Sequence, residues 1–487
     1  MANVRPVASC DKVASQYKEL EMSTNIIFAK HALLPTGWAS DVLLRCDSQG
    51  VLIDVQEMYR QELVPSNASR IEGPLLPGMP NLHSHAFQRA FAGLSEYRNP
   101  KLPEDSFWSW RALMYQFAND ISPEQLSAIA RALYVEMLQA GYTSVCEFHY
   151  LHNHTDGTPY ADDTVLSASL IEAASQVGIG LTLLPVLYET SGFGGIMPTQ
   201  GQRRFISDAD KLLKLVQRLK PMCEYHGGKV GVAPHSLRAV RPQSLHRLIN
   251  ELSSIDPHAP VHIHIAEQTT EVDACLQWSG QRPVEWLLNN LSLDKRWCLV
   301  HATHMTPEES TRAANCGVVA GICPTTEANL GDGIFDASKW LENGGAWGIG
   351  SDSHVCVNAA EEIMQFEYSQ RLSTRRRNLL ATEREPNVAT AMTLAAVAGG
   401  AQASSRAVAG LAIGQRLDAV ALNVNHPTLC GLPTPQSMLS AHIFASHRQS
   451  AVDSVWVGGK RIVNEGQHVL FESSVNEFIA IRRSLLN

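Results

Sequence analysis

The sequence predicts an α/β fold: a (β/α)8 TIM barrel with a second, small β-sandwich domain built from both chain termini. Three observations predict it. Apolar strand-like runs alternate with amphipathic helical ones through the middle of the chain, the pattern changes at both ends, and histidines and carboxylates gather where strands end. Residues 75–407 are expected to form the barrel, and 1–74 with 408–487 the small domain and a C-terminal helix.

The first barrel strand is the Pro/Gly-punctuated run from Pro74 that ends at His83. From Ile121 the apolar period becomes helical, with Leu126, Ile129, Leu133 and Met137 on one face. Ser122, Pro123 and Gln125 make a capping box, and Gly141 stops the helix before a strand at 143–147. The alternation continues as helix 164–177 and strand 181–187, helix 208–225 and strand 230–234, then helix 242–252 and strand 260–265. Helix 284–290 and strand 298–301, helix 307–315 and strand 318–322, and a strand at 346–350 bring the strands to eight. Outside this series, 26–34, 42–46, 51–55, 418–422 and 455–463 are short strands with turns such as Ser48-Gln49-Gly50 and Gly458-Gly459, the material of the small domain.

A chain of 487 residues, 45% hydrophobic and 18% charged, buries a large core. A formal charge of -9 and a pI near 6.1 argue against nucleic acid or a polybasic membrane contact as partner, and an anionic substrate would need a local arginine. The ten cysteines, Cys10 to Cys430, contain no C-x-x-C pair and read as reduced, buried thiols of a cytoplasmic protein. The first twenty residues lack the apolar core of a secretion signal. No apolar stretch reaches the ~18 residues of a membrane span, so no membrane partner is expected.

The strand ends carry the chemistry. In His83-Ser84-His85 the period of two puts both imidazoles on one side of the chain, where they can chelate one ion. Alone, such a pair among 19 histidines is a weak signal. It gains weight from His262-Ile263-His264-Ile265-Ala266-Glu267, His301 and Gly350-Ser351-Asp352-Ser353-His354, each ending an apolar run. His83, His85, His264 and Asp352 form a set of three neutral imidazoles and one carboxylate suited to a single Zn2+ or Fe2+, with a position left for water. His262 reads as structural, because the spacing to Glu267 singles out His264. Glu267 can stand in the pocket without binding the ion and relay a proton to a leaving nitrogen. Asp352 doubles as proton acceptor, while His301 polarises or deprotonates the attacking water, or steadies charge on the tetrahedral centre. A two-metal site of this architecture needs a lysine ending the fourth strand; Lys229 precedes that strand, whose end reads Pro234-His235-Ser236, so one metal is expected.

The run Gly78-Met79-Pro80-Asn81-Leu82-His83-Ser84-His85, with His264-Ile265-Ala266-Glu267, His301 and Ser351-Asp352-Ser353, resembles the amidohydrolase superfamily in its mononuclear deaminase branch, over nearly the whole chain. Gly410-Leu411-Ala412-Ile413-Gly414 and Val457-Gly458-Gly459-Lys460 resemble the returning strands of such proteins. Within the branch, segments 86–94, 107–111, 147–152 and 233–238 are most similar to the deiminases acting on N-formimidoyl-L-glutamate in histidine degradation. That resemblance implies hydrolysis of this small dicarboxylate amidine to N-formyl-L-glutamate and ammonia by a cytoplasmic zinc enzyme that forms a homodimer. It also implies that Arg111 and Arg238 grip the carboxylates, Gln88 and Tyr150 offer neutral hydrogen bonds, and His235 faces the amidine end. Arg89 and Arg98 compete for the carboxylate role, and the segment from Cys323 to Gly331 shapes the pocket wall. Two other readings stand beside this one. Another deaminase or chlorohydrolase of the branch would act on a purine, pterin or triazine, and needs ring recognition rather than arginines. A catalytically dead relative serving as a binding protein is opposed by the intact set of His83, His85, His264, Glu267, His301 and Asp352.

Overall fold

The structure, a computed structural model, describes residues 26–97, 107–446 and 449–486; the first twenty residues, Cys10 and Arg98 lie outside them. Strands β1 (Ile26–Leu34), β2 (Gly37–Cys46), β3 (Leu52–Gln56) and β4 (Ser69–Pro77) open the described chain. The central series is β5 (Met79–Ser84), β6 (Tyr142–His149), β7 (Gly180–Leu187), β8 (Lys229–Val230), β9 (Ala233–Pro234), β10 (Val261–Ile265), β11 (Trp297–His301), β12 (Val319–Ile322) and β13 (Ala346–Ile349). Strands β14 (Ala419–Leu422), β15 (Val452–Val457), β16 (Lys460–Asn464) and β17 (Gln467–His468) close it.

The terminal strands join as expected. They form one continuous eight-stranded sheet in the order β17-β16-β15-β14-β4-β1-β2-β3, whose two arms come together: a Cβ on Gly50, beside β3, would run into the carbonyl oxygen of Gly458, beside β15. The C-terminal strands enter it where β14 pairs antiparallel with β4. Ile27, Ala29, Leu44, Leu52, Leu75, Leu417 and Trp456 form its apolar cluster.

The central strands run parallel in two sheets, β5-β6-β7-β8 with β9 paired to β7, and β10-β11-β12-β13. Strands β5, β6, β7, β10, β11 and β12 are buried along their whole length, the pattern of parallel strands covered on both faces. The sheets meet through isolated bridges, Ser84 with Asp352 at one seam and Val232 with Val261 and Ser236 with His264 at the other. The ring expected from the sequence is therefore not closed by continuous ladders. The expected fourth strand, 230–234, is split between β8 and β9. At the other seam the chain after β13 passes very close to the first barrel strand: a Cβ on Gly350 would lie 2.7 Å from that of His83. Glycine at this point lets Asp352 reach the histidines of β5.

Helix Pro123–Gln139 has its Ser122 capping box, helices Val165–Val177, Ala209–Tyr225, Pro242–Ile255, Pro283–Asn290 and Pro307–Asn315 lie where the periodicity places them, and Phe471–Leu486 is the expected C-terminal helix. Helices Thr269–Ser279, Pro324–Leu330, Ala337–Glu342, Ala359–Thr374 and Val388–Ser404 were not legible in the sequence. Val388–Ser404 shows why: it is buried on nearly every side, so its Ala- and Gly-rich sequence has no polar stripe to reveal a period. The described cysteines are free, but not all are in the core: Cys316 and Cys356 are half-buried and Cys430 is exposed. Among the described residues no helix is long and apolar enough to cross a membrane.

Candidate active site

His83 and His85 leave the end of β5 on the same side, and His264 comes from β10. Asp352 follows β13, and one ligand atom from each of the four lies within 4.8 Å of the others, all buried. The Nε2 atoms of His83 and His85 are 3.1 Å apart, those of His264 and His83 3.0 Å, and Asp352 Oδ1 is 3.3 Å from both His83 and His85 Nε2. Nδ1 of His85 donates to the Phe148 carbonyl at 2.8 Å and Nδ1 of His264 to the His235 carbonyl at 3.0 Å. A carbonyl only accepts, so each Nδ1 carries the proton and each Nε2 presents a lone pair. Burial holds His83, His85 and His264 below the ordinary histidine range, and so neutral. Lone pairs and a carboxylate packed this closely repel one another unless a cation lies between them. Tetrahedral zinc with bonds of ~2.0–2.1 Å sets its ligands about 3.3 Å apart, and the donor set fits such an ion.

The backbone around this group is unusual. Ala266, His301, Ala302, Asp352 and His354 all have φ between 45° and 67°, in the left-handed region that side chains other than glycine rarely occupy. They sit at the C-terminal ends of β10, β11 and β13, where backbone bonds such as Asp352 N–H to His83 O at 3.0 Å and Ala302 N–H to Ile265 O at 3.0 Å hold them. Sharp turns at these points direct His301, Glu267 and Asp352 inward.

His301 is the hub of the acid–base groups. Its Nδ1 donates to Glu327 Oε1 at 3.2 Å, while Nε2 faces Glu267 Oε1 at 3.7 Å and Asp352 Oδ2 at 3.8 Å. Burial opposes its charged form, but Glu267, Glu327 and Asp352 outweigh burial and raise it to about 10. Burial also raises Glu267 above the usual carboxylate range, with Asp352 adding to this and His301 opposing it. Glu327 additionally accepts from the Cys323 N–H at 2.8 Å, which ties the segment after β12 to the His301 ring.

Above this floor, a pocket is lined by Gln88, Arg111, Tyr150, His235 and Arg238 together with His85, His264, Glu267, His301 and Asp352. All five residues expected to bind substrate therefore face the space over the His/Asp group. Gln88 Nε2 donates to Tyr150 Oη at 2.8 Å, and its Oε1 is buried without a partner. Arg111 donates from Nε to Tyr115 Oη and from Nη2 to Tyr188 Oη at 3.4 Å. Arg238 lines the pocket with Nη1 buried and without a hydrogen-bond partner. His235 packs against Tyr188, with ring centroids 4.7 Å apart. The competitor Arg89 is spent elsewhere, on Glu136 through Nε and Nη2 and on the His354 carbonyl through Nη1. His262 is structural, as its spacing indicated: Nε2 donates to the Ala403 carbonyl at 2.8 Å.

Several residues of the site went unnoticed in the sequence. Tyr115 sits one helical turn from Arg111, and that i, i+4 spacing was an available signal. Tyr188 and Gln202 had none: Gln202 Nε2 donates to both Tyr188 Oη at 2.6 Å and Tyr115 Oη at 3.1 Å, joining three distant segments. Glu147 supports the floor from behind, accepting from Ser84 Oγ at 2.7 Å and from the Ala86 N–H at 2.6 Å. Burial raises its carboxyl to about 7.

The model of the amidohydrolase family matches residues 75–462. The formimidoylglutamate deiminase of Pseudomonas aeruginosa is 48% identical over 461 residues, 95% of this chain and 99% of that protein. The crystal structure of an amidohydrolase from Brucella melitensis superposes with a TM-score of 0.89 at 45% identity, covering 95% of this chain and 100% of that one. An adenosine deaminase from Xanthomonas campestris with bound zinc shares the fold, with a TM-score of 0.77 at 20% identity over 95% of this chain and 98% of its own. With the family model spanning every strand that carries a ligand or an acid–base group, the chain belongs to the amidohydrolase family.

Proposed function

We propose that the protein is a metal-dependent hydrolase that converts N-formimidoyl-L-glutamate and water to N-formyl-L-glutamate and ammonia. The observation that carries this reading is Arg238, whose buried Nη1 has no partner beside a pocket that also contains Arg111 and the three-histidine, one-aspartate group. A buried guanidinium N–H left unpaired is costly, and a substrate carboxylate is the group that satisfies it best. The 48% identity to the Pseudomonas aeruginosa deiminase over 95% of the chain supports the same substrate.

His83, His85, His264 and Asp352 would hold the ion, which when bound supplies Lewis acidity and lowers the pKa of a water to about 7. Zinc suits the donor set, and iron(II) is the alternative. In the reaction, the amidine carbon gains oxygen from water, its bond to the terminal nitrogen breaks, and both water protons finish on the departing nitrogen, giving ammonia from the neutral amidine and its conjugate acid, ammonium, from the amidinium. Glu267 moves those protons. His301, held through Nδ1 by Glu327, presents Nε2 to the developing charge. Gln88 and Tyr150 position the amidine from one wall and His235 from the other, while Arg111 and Arg238 hold the carboxylates. In this reading residues 75–407 are the catalytic unit, its two parallel sheets making one (β/α)8 ring, and 1–74 with 408–487 form the accessory domain. Free, mostly buried thiols support a reducing cytoplasmic setting.

Metal analysis of purified protein is expected to give close to one equivalent per chain, with activity lost on chelation and restored by zinc. Two equivalents at full occupancy would overturn the single-ion reading. Product analysis tests the reaction itself: ammonia and N-formyl-L-glutamate are expected. Formamide with free glutamate, or faster turnover of guanine or a pterin, would defeat the assignment.

A further inference from the structure

Asp332 has no task in the reaction described so far. It is 4% exposed and stands just past helix Pro324–Leu330, between Gly331 at φ 70° and Gly333 at φ 129°. Those left-handed turns carry the chain inward at this point. Its Oδ1 accepts from Gln268 Nε2, and its Oδ2 is buried with no partner at all. Carboxylate oxygens of Asp332 and Glu267 and a ring nitrogen of His301 lie within 4.8 Å of one another. Of the other carboxylates nearby, Glu327 is engaged with His301 and Cys323 and Asp352 with the histidines, while Glu271 accepts from the Glu267 N–H through Oε2 and keeps a buried Oε1 without a partner. Burial, then repulsion from Glu267, pushes the Asp332 carboxyl up to about 9, a strain that a cation would relieve.

We propose that Asp332 and Glu267 form a cation subsite that receives the terminal NH2 of the substrate's amidinium group. The proposal rests on the reading of the substrate as a dicarboxylate amidine and adds how its cationic end is recognised. The two N–H bonds of a planar NH2 diverge by ~120°, so hydrogen bonds of ~2.8 Å set their two acceptors ~4.8 Å apart. Glu267 and Asp332 are separated by no more than this. A terminal nitrogen held between them is the one that Glu267 protonates, while the inner nitrogen, tethered to a dicarboxylate on Arg111 and Arg238, is kept away. The subsite therefore also selects ammonia over formamide as the product.

The test is calorimetric binding to the metal-loaded protein of two dicarboxylates of one shape: N-carbamimidoyl-L-glutamate, with a cationic guanidinium end, and N-carbamoyl-L-glutamate, with a neutral urea end. The natural protein is expected to prefer the cation by ~10–100-fold, the scale of a hydrogen bond to a charged group. In Asp332→Asn that preference falls to about twofold or less, with the affinity for the neutral ligand within about twofold of the natural protein's. Asp332→Ser, smaller and equally neutral, reads the same ratio should the asparagine variant fail to fold. No preference in the natural protein, an unchanged ratio in the variants, or equal loss of both ligands overturns the proposal. So does a second zinc equivalent that binds the natural protein and is lost in Asp332→Asn, which would give the cluster to a metal. The two readings fail separately. An enzyme that releases no ammonia from N-formimidoyl-L-glutamate but shows the cation preference and its loss keeps the subsite and discards the substrate. The reverse result discards the subsite alone.

Discussion

Glu267→Gln is expected to keep its metal and lose ~10²–10⁴-fold in turnover, the range over which a positioned proton-transfer group contributes. The geometry separates Glu267 from the ligand set: its near partner is His301 Nε2 at 3.7 Å, and the four converging donor atoms belong to other residues. Burial raises its carboxyl, so a proton is held more readily there than on an exposed glutamate and is available to the departing nitrogen. Glutamine preserves the size and one hydrogen bond of the side chain but can neither take nor give that proton. Metal content and kcat, measured on the same preparation, check the expectation. Loss of the ion in Glu267→Gln would make the residue a ligand, and near-normal turnover would remove it from the reaction.

Arg238→Met is expected to lower kcat/KM for N-formimidoyl-L-glutamate by ~2–5 kcal/mol, the cost of truncating one partner of a buried charge pair. Methionine keeps much of the apolar stem but leaves the substrate carboxylate desolvated and unpaired. Arg111→Met is the informative comparison. Arg111 already donates to Tyr115 and Tyr188, and its guanidinium stands over the Tyr115 ring at 5.1 Å, so its loss disturbs the pocket wall as well as the ligand. Arg238, with Nη1 unpaired, is the cleaner probe. Steady-state kinetics of both variants, alongside binding of glutarate, measure the carboxylate contribution directly. An Arg238→Met enzyme with unchanged kcat/KM and glutarate affinity would place the carboxylates elsewhere.

Much of this protein was legible from local pattern alone. The strand–helix alternation, the Ser122 capping box and the placement of His83, His85, His264, Glu267, His301 and Asp352 at strand ends depend on neighbours a few residues away, which periodicity and spacing report. His262 was separable from His264 on spacing, and the Nε2 atoms of His85 and His264 converge with His83 and Asp352 in a buried group that could hold an ion.

The tertiary structure decided what depends on distant segments meeting. That the terminal strands join into one sheet is set by the pairing of β14 with β4, some 340 positions apart in the chain, and no local period encodes that partner. Helix Val388–Ser404 escaped notice because burial on nearly all sides erases the polar stripe by which a helix is recognised. Arg89 and Arg238 look alike in sequence; only the fold gives Arg89 to Glu136 and sets Arg238 in the pocket wall with Nη1 unpaired. The same holds for Glu327 and Asp332, two acidic residues five positions apart. Their difference, one spent on His301 and the other with an oxygen free, arises from hydrogen-bond partners on β11 and beside helix Thr269–Ser279, because a hydrogen bond depends on distance and direction in space and not on separation along the chain.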